Sequence, residues 1–238
     1  METGRSSPKI AIMVVANNVS KDVLKRFLWA CEKSEKVLPF DVIVGNHREP
    51  EQKFHKTVIL NDMLRSYKGK YEVLVQTDID MLVPPRLITD TYRYCLRSND
   101  CYHCNYYLIE PKELKDKLYK DIPWNKIQQR QVRAASGSWN GLCSRMWSES
   151  GGFCEAISLL GGPDSEFYMR TRKKNIRWYI TSKFVLGHVN HPRRKVKKQG
   201  KKNLSIARKY PRDYNWLKNR NNNVGSTKIK IYSFRGNK

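Results

Sequence analysis

No stretch of this chain approaches the ~18 consecutive apolar residues that cross a bilayer, so a membrane-spanning helix is not expected. The first residues, Met1 to Lys9, lack the apolar core of a secretory signal, and the expected location is the cytoplasm. No internal repeat is visible. Acids are scarce, with 22 Asp and Glu against 46 Lys and Arg. Cysteine is present but offers no framework: in a reducing compartment Cys31, Cys95, Cys101, Cys104, Cys143 and Cys154 are expected as thiols. Cys101-Tyr-His-Cys104 has zinc-like spacing, yet no second pair of that kind accompanies it, and it reads as incidental.

What is there is a 238-residue chain, long enough for one sizeable domain, or one domain with an appendage. Its formal net charge of +24 speaks about partners rather than fold, and argues for a polyanionic molecule or surface. The charge is uneven. Residues 193–238 hold sixteen Lys and Arg against one acid, Asp213, and so carry +15 of the +24. A bias of that kind marks an interaction arm, so the expected division is a domain over 1–192 and a basic, aromatic-containing arm over 193–238.

Lys9 to Ala16 is a short apolar run that reads as a buried parallel strand. Ser20 to Cys31 opens at a capping serine and lines Val23, Leu24, Phe27, Leu28 and Cys31 along one helical face. Phe40 to Gly45 predicts a second strand, Lys56 to Tyr67 a second helix, and the run from Tyr71 a third strand. Strand, helix, strand, helix, strand is the pattern of right-handed crossovers building a parallel sheet. Further on, Leu87 to Leu96 reads as helical and Tyr102 to Ile109 as extended, while Lys112 to Arg133 is charged and irregular. Ser136 to Gly141 is a glycine-punctuated turn. A helix is expected from Ser165 to about Lys174 with Asp164 at its N-cap, and Trp178 to Leu186 reads as a last strand ending in His188-Val-Asn-His191.

The stretch that organises the chain is Tyr71 to Pro85, a buried strand that runs out into Asp78 and Asp80 before paired prolines. In an open α/β sheet, ligands bind outside the carboxyl ends of the strands. Positions i and i+2 of an extended strand face the same side, so both acids are expected to face one ligand. Neighbouring carboxylates repel unless a cation neutralises them, and a hard divalent ion carrying phosphate oxygens as its other ligands meets that need. The bland alternative is a surface turn whose acids face water or cap a helix.

Four motifs in order then resemble a known family. Phe54-His-Lys-Thr-Val-Ile-Leu-Asn61, the Thr77-Asp78-Ile79-Asp80 strand end, Gly151-Gly-Phe153 with Gly162-Pro-Asp-Ser-Glu-Phe167 through Arg170, and His188 resemble the GT-A glycosyltransferases. Within them the likeness is to the β-1,4-galactosyltransferase, chondroitin-polymerase and inverting family 2 group, over residues 9 to 192. It implies a Rossmann-like α/β fold with a mostly parallel central sheet and helices on both faces. It also implies metal-dependent, inverting transfer of a sugar from a nucleotide-sugar, expected to be a UDP-sugar, to a hydroxyl. By the same resemblance Asp80 would ligate Mn²⁺ or Mg²⁺ bridging the donor diphosphate, and Asp78 would contact the donor's ribose or sugar. His188 would add a metal ligand, with His191 at a spacing that serves equally well. Phe54 and Lys56 match positions near the donor's base and phosphates, and Asn61 matches an asparagine that supports the fold. Asp164 matches the general base for the acceptor hydroxyl. Two departures stand out. Pro163 replaces the glutamate before that aspartate, and Ser158-Leu-Leu-Gly161 stands where the galactosyltransferases carry a tryptophan, so specificity does not transfer. The membrane anchor of the Golgi enzymes has no counterpart here, which suits a soluble microbial or viral form.

The basic arm asks for its own explanation. Lys195, Lys197, Lys198, Lys201, Lys202, Arg208 and Lys209 are interleaved further on with Tyr210, Tyr214, Trp216, Tyr232 and Phe234. Cations beside aromatics suit phosphate contacts with base stacking. The expected acceptor is therefore DNA with hydroxymethylated pyrimidines, in a bacterial or phage-infected cytoplasm, reached either in the major groove or by extruding the base, with Trp139, Trp147 and Trp216 as stacking surfaces in the second case. Two alternatives stand beside it: a peripheral glycosyltransferase of envelope or capsular glycan whose arm lies on anionic lipid, and a non-enzymatic nucleic-acid-binding protein on the same fold.

Overall fold

The computed structural model describes residues 8–17, 19–47, 55–114, 122, 124, 137–157, 162–190, 197–210, 213–219 and 227–235. β1 (Ile10–Val15), α1 (Lys21–Ser34), β2 (Phe40–His47), α2 (Lys56–Tyr67) and β3 (Val73–Thr77) follow in the order the sequence predicts. Ser20 starts α1 as expected, its hydroxyl accepting from the Val23 amide at 3.4 Å. β1 runs parallel to both neighbours, with Ile10 opposite Phe40 on one side and Val73 on the other. Side chains alternate across a strand, so Ile10, Ile12 and Val14 pack with Phe27 and Cys31 of α1 on one face. Ala11 and Met13 pack with Ile59 and Met63 of α2 on the other. Both faces are covered, and an unbroken apolar run follows from that. The chain leaves β1 toward β2 on one side and leaves β3 toward the other edge of the sheet, and this divergence opens a crevice at the carboxyl ends of β1 and β3.

The remaining elements are β4 (Met81–Leu82), α3 (Leu87–Cys95), β5 (Cys101–His103), β6 (Tyr106–Ile109), α4 (Pro111–Leu114), β7 (Trp139–Cys143), α5 (Ser144–Ser150), α6 (Pro163–Lys173), β8 (Trp178–Ile180), β9 (Leu186–Val189), α7 (Lys197–Ala207) and β10 (Thr227–Phe234). The large sheet has the order β10-β2-β1-β3-β7-β5-β8, and β7 and β10 run against the other five strands. A small sheet, β4-β9-β6, lies beside it. The class is the expected one: a mostly parallel central sheet with helices on both faces.

Several local expectations are corrected. The extended stretch from Tyr102 to Ile109 is two strands, β5 in the large sheet and β6 in the small one. Trp178 to Leu186 likewise divides between sheets, and His188 lies within β9 rather than after it. Part of the glycine-punctuated turn is the strand β7, where Gly141 is needed because the Thr91 methyl occupies the space of a side chain. Trp139, Trp147 and Trp216 are buried and serve the core, not an extruded base. Two of the indoles are committed there too, Trp139 Nε1 donating to Thr91 Oγ1 at 3.0 Å and Trp147 Nε1 to the Leu74 carbonyl at 2.8 Å. Cys101 and Cys104 belong to clusters on opposite faces of the sheet, so the zinc-like spacing does not converge on one ion.

The segment after residue 192 is not an appendage in its described part. β10 pairs antiparallel along all of β2, from Thr227 opposite His47 to Phe234 opposite Phe40. Phe234 stacks on Phe40 with ring centroids 4.8 Å apart. Trp216 and Leu217 are buried with residues of the main domain.

Candidate active site

β3 ends at Thr77, and Asp78, Ile79 and Asp80 form a turn that the Met81 amide closes on the Asp78 carbonyl at 3.4 Å. The expectation that the two acids share one face of an extended strand is therefore wrong. A turn rotates successive side chains apart, so Asp78 meets Lys56 while Asp80 meets His188.

Asp78 faces Lys56, the first residue of α2. The ammonium lies 2.7 Å from Asp78 Oδ1 and 3.3 Å from both oxygens of Asp164. Burial works against the charge of Lys56, but Asp164 and Asp78 outweigh it and hold the ammonium well above its ordinary range. Asp78 is pushed up to about 6, first by burial and then by Asp164 and Asp80, with Lys56 opposing.

Asp164 sits in the first turn of α6, and the N-cap is Gly162, not Asp164 as expected. The carboxylate lies so close to Gly137 that a side chain there would meet Asp164 Oδ2 at 2.5 Å. Behind it Gln76 Nε2 donates to the Gly137 carbonyl at 3.3 Å, and Asn140 Nδ2 donates to Gln76 Oε1 at 2.8 Å. His103 Nδ1 lies 2.9 Å from Asn140 Oδ1, completing a buried polar chain beneath the site. Sequence reasoning missed that chain. Its signal is a polar residue inside each of three buried strands, Gln76 in β3, Asn140 in β7 and His103 in β5.

Asp80 faces His188. β4 and β9 pair with Met81 opposite His188, and the Val189 amide donates to the Asp80 carbonyl at 3.0 Å. That register brings His188 Nε2 to 3.0 Å from Asp80 Oδ2, with Tyr106 edge-on to the imidazole at 5.0 Å. The site thus joins Lys56, Asp78, Asp80, Asp164 and His188. Phe54 and His191 lie outside the described residues.

Three carboxylates against one ammonium leave an excess of negative charge that a divalent cation would cancel. Among the described residues no three of His, Cys, Asp and Glu converge as a complete cage. A Mg²⁺ ion is commonly held by one or two protein ligands with phosphate oxygens and water filling the rest, and the Asp80–His188 pair is the candidate set. Two donors bound at ~2.1 Å on adjacent corners of an octahedron lie ~3 Å apart, as the Asp80 and His188 donors do.

No family model matches this sequence, and no curated protein matches it at a significant level. Solved structures do match. The catalytic domain of Drosophila β1,4-galactosyltransferase 7, in complex with xylobiose, superposes with a TM-score of 0.57 at 15% identity, covering 94% of each chain. Mannosyltransferase PcManGT from Pyrobaculum calidifontis, in complex with GDP-Man and Mn²⁺, gives 0.54 at 17% identity, covering 85% of this chain and 63% of that one. The chain has the GT-A glycosyltransferase fold.

Proposed function

We propose that this chain is a metal-dependent glycosyltransferase that moves a sugar from a nucleotide-sugar to a hydroxyl with inversion. The observation that carries the reading is the juxtaposition of Lys56, Asp78 and Asp164 with the Asp80–His188 pair at the carboxyl end of β3. Structures of the same fold support it, one holding GDP-Man and Mn²⁺ and the other a disaccharide.

Asp80 and His188 would hold Mn²⁺ or Mg²⁺. When bound, such an ion offsets the negative charge that develops on a departing diphosphate. Lys56 would offer its ammonium to the donor's phosphates, and Asp78 would contact the donor's ribose or sugar. Asp164 takes the proton of the acceptor hydroxyl as that oxygen attacks the anomeric carbon. The bond to the diphosphate oxygen breaks on the opposite face, so the configuration inverts. A UDP-sugar is the donor we infer from the resemblance to the galactosyltransferase group.

For the acceptor we infer DNA carrying hydroxymethylated pyrimidines, modified in the cytoplasm. The support is a basic surface on the helix pair that includes Asp164's own helix. Arg172 and Lys173 at the end of α6, Lys201 and Lys202 on α7, and Lys209 and Lys218 beyond it are exposed, and α6 packs against α7. Tyr210 is exposed among them. Cations at that density suit phosphate contacts, whose affinity falls steeply with salt.

The test is to incubate the protein with Mn²⁺, mixed nucleotide-sugars and duplex DNA containing 5-hydroxymethyluracil or 5-hydroxymethylcytosine, then to digest and weigh the nucleosides. A hexose or N-acetylhexosamine increment on one nucleoside is expected. Donor hydrolysis without an increment moves the acceptor to an envelope glycan, with the basic surface on anionic lipid. DNA binding with no donor turnover overturns the enzyme reading.

A further inference from the structure

Helix α2 brings Lys56 to the site, and behind it Thr57, Asn61 and Arg65 recur every four residues along one face. All three grip one loop. Thr57 Oγ1 donates to the Ile157 carbonyl at 3.1 Å. Asn61 Nδ2 donates to the Phe153 carbonyl at 2.8 Å and to Glu155 Oε1 at 2.9 Å, and its Oδ1 accepts from the Phe153 amide at 2.8 Å. Arg65 pairs with Glu155, a carboxylate with no solvent exposure. From the other side α6, which carries Asp164, holds the start of the same loop. Arg170 donates to the carbonyls of Ser150 and Gly152, and Phe167 stacks on Phe153 at 4.6 Å. Residues 150–157 are thus the wedge that sets α2 against α6, and with them Lys56 against Asp164.

Arg65 has a second set of partners in the C-terminal segment. Its guanidinium donates to the Trp216 carbonyl and, from Nε, to the Leu217 carbonyl at 3.2 Å. Trp216 packs on Cys154 and Ile157, at the far end of the loop. Leu217 fills the space beside Gly152, where an added side chain would meet its Cδ2 at 2.7 Å. Gly152 has φ +75, so the loop's course there suits glycine in both space and backbone. A planar guanidinium with several fixed donors can tie three chain segments at once, which an ammonium cannot.

We propose that Arg65 is a positioning residue for the transfer reaction: by joining Glu155 to the Trp216 and Leu217 carbonyls, it uses the C-terminal segment to fix the loop on which α6 sets Asp164 opposite Lys56. The proposal rests on the glycosyltransferase reading of the site. It gives residues 216–217 a part in catalysis distinct from acceptor binding.

The test uses the full chain with Arg65→Met combined with Glu155→Gln, so that the fully buried carboxylate is not left without its cation, while the partly exposed Asp62, which also pairs with Arg65 at 2.8 Å, keeps its bond from the Thr227 hydroxyl. Tyr71→Phe is the control, because it removes a buried hydrogen bond to Asp41 on other elements. Amide hydrogen exchange and steady-state kinetics are measured at a temperature where all variants are folded. In the double variant exchange over 150–157 should rise about tenfold while β1 and β3 stay protected, and kcat should fall about tenfold or more with donor KM within about twofold. The control should move neither. Unchanged loop exchange overturns the proposal, and so does raised exchange with wild-type kcat. Absence of transfer by the unaltered protein would sink the function reading and the positioning role with it, whereas the exchange result measures the brace separately.

Discussion

His188 Nε2 lies 3.0 Å from Asp80 Oδ2, although 108 residues separate them in the chain. The pairing of β4 with β9 sets that distance, and β9, which carries His188, is hydrogen-bonded on both sides. Asp80→Ala is expected to weaken Mn²⁺-dependent binding of a nucleotide-sugar by at least about tenfold, or ~1.4 kcal/mol. His188→Ala should act in the same direction. Chelation should remove donor binding from the unaltered protein, and added Mn²⁺ should restore it. Titration calorimetry reads all of these, and wild-type affinity in Asp80→Ala would remove the metal assignment.

Asp164 is held by Lys56 at 3.3 Å, while Lys56 is held more closely by Asp78 at 2.7 Å. Asp164→Asn therefore leaves the lysine anchored, and donor affinity should stay within about twofold while transfer falls by about 10² or more. Lys56→Met differs, because it leaves Asp78 and Asp164 without their cation. Donor binding should then weaken as well as turnover. If Asp164→Asn transfers sugar at the wild-type rate, the residue does no more than shape the first turn of α6.

The first half of the sheet was legible because its signals are local. Apolar runs, the Ser20 cap and the spacing on α1 each sit within one element. The candidate residues Lys56, Asp78, Asp80, Asp164 and His188 were singled out by motif resemblance, and the structure brings them into contact as one triad and one pair. What the sequence concealed is non-local. Nothing near Tyr106 or Leu186 says that these strands pair with each other in a second sheet. Trp139-Asn-Gly reads as a turn, since the packing of Thr91 that makes the glycine necessary comes from another helix. In β10 the alternation Lys228-Ile-Lys-Ile-Tyr232 was present all along, but the net charge of the segment dominated its reading.

His103 gives a stability prediction. Burial lowers its pKa from the ordinary 6.5, and its Nδ1 faces the Trp139 carbonyl and Asn140 Oδ1, two acceptors that fix the proton there. A histidine whose folded pKa lies below its unfolded value supports the fold fully above the unfolded value, and that support is lost as pH falls through about 6.5 toward the folded value. The melting temperature should therefore drop on acidification below about 6.5. His103→Gln should flatten that part of the profile at some cost in stability at neutral pH. A slope unchanged in the variant would assign the acid sensitivity to other groups.

The last strand separates two roles of the C-terminal segment. Phe234 stacks on Phe40 while Lys228 and Lys230 on the same strand are exposed, so apolar and basic residues of β10 are separable by substitution. Phe234→Ala removes a half-buried ring, a loss of about 2 kcal/mol, and at roughly 2–4 °C per kcal/mol for a chain of this size Tm should fall by roughly 4–8 °C. β10 is at the sheet edge beyond β2, whereas the site lies beyond β3, so turnover at a temperature where the variant is folded should not change. Lys228→Glu with Lys230→Glu should do the reverse: little change in Tm, and weaker, less salt-dependent binding to duplex DNA. Deleting residues 227–238 should combine both effects, and the exposed edge of β2 should make the protein prone to association. A segment acting as a detached arm would give a different result, with Tm unmoved by the deletion. Thermal melting of the three variants therefore decides whether this basic segment belongs to the domain, and filter binding across a salt series decides whether its charge faces a polyanion.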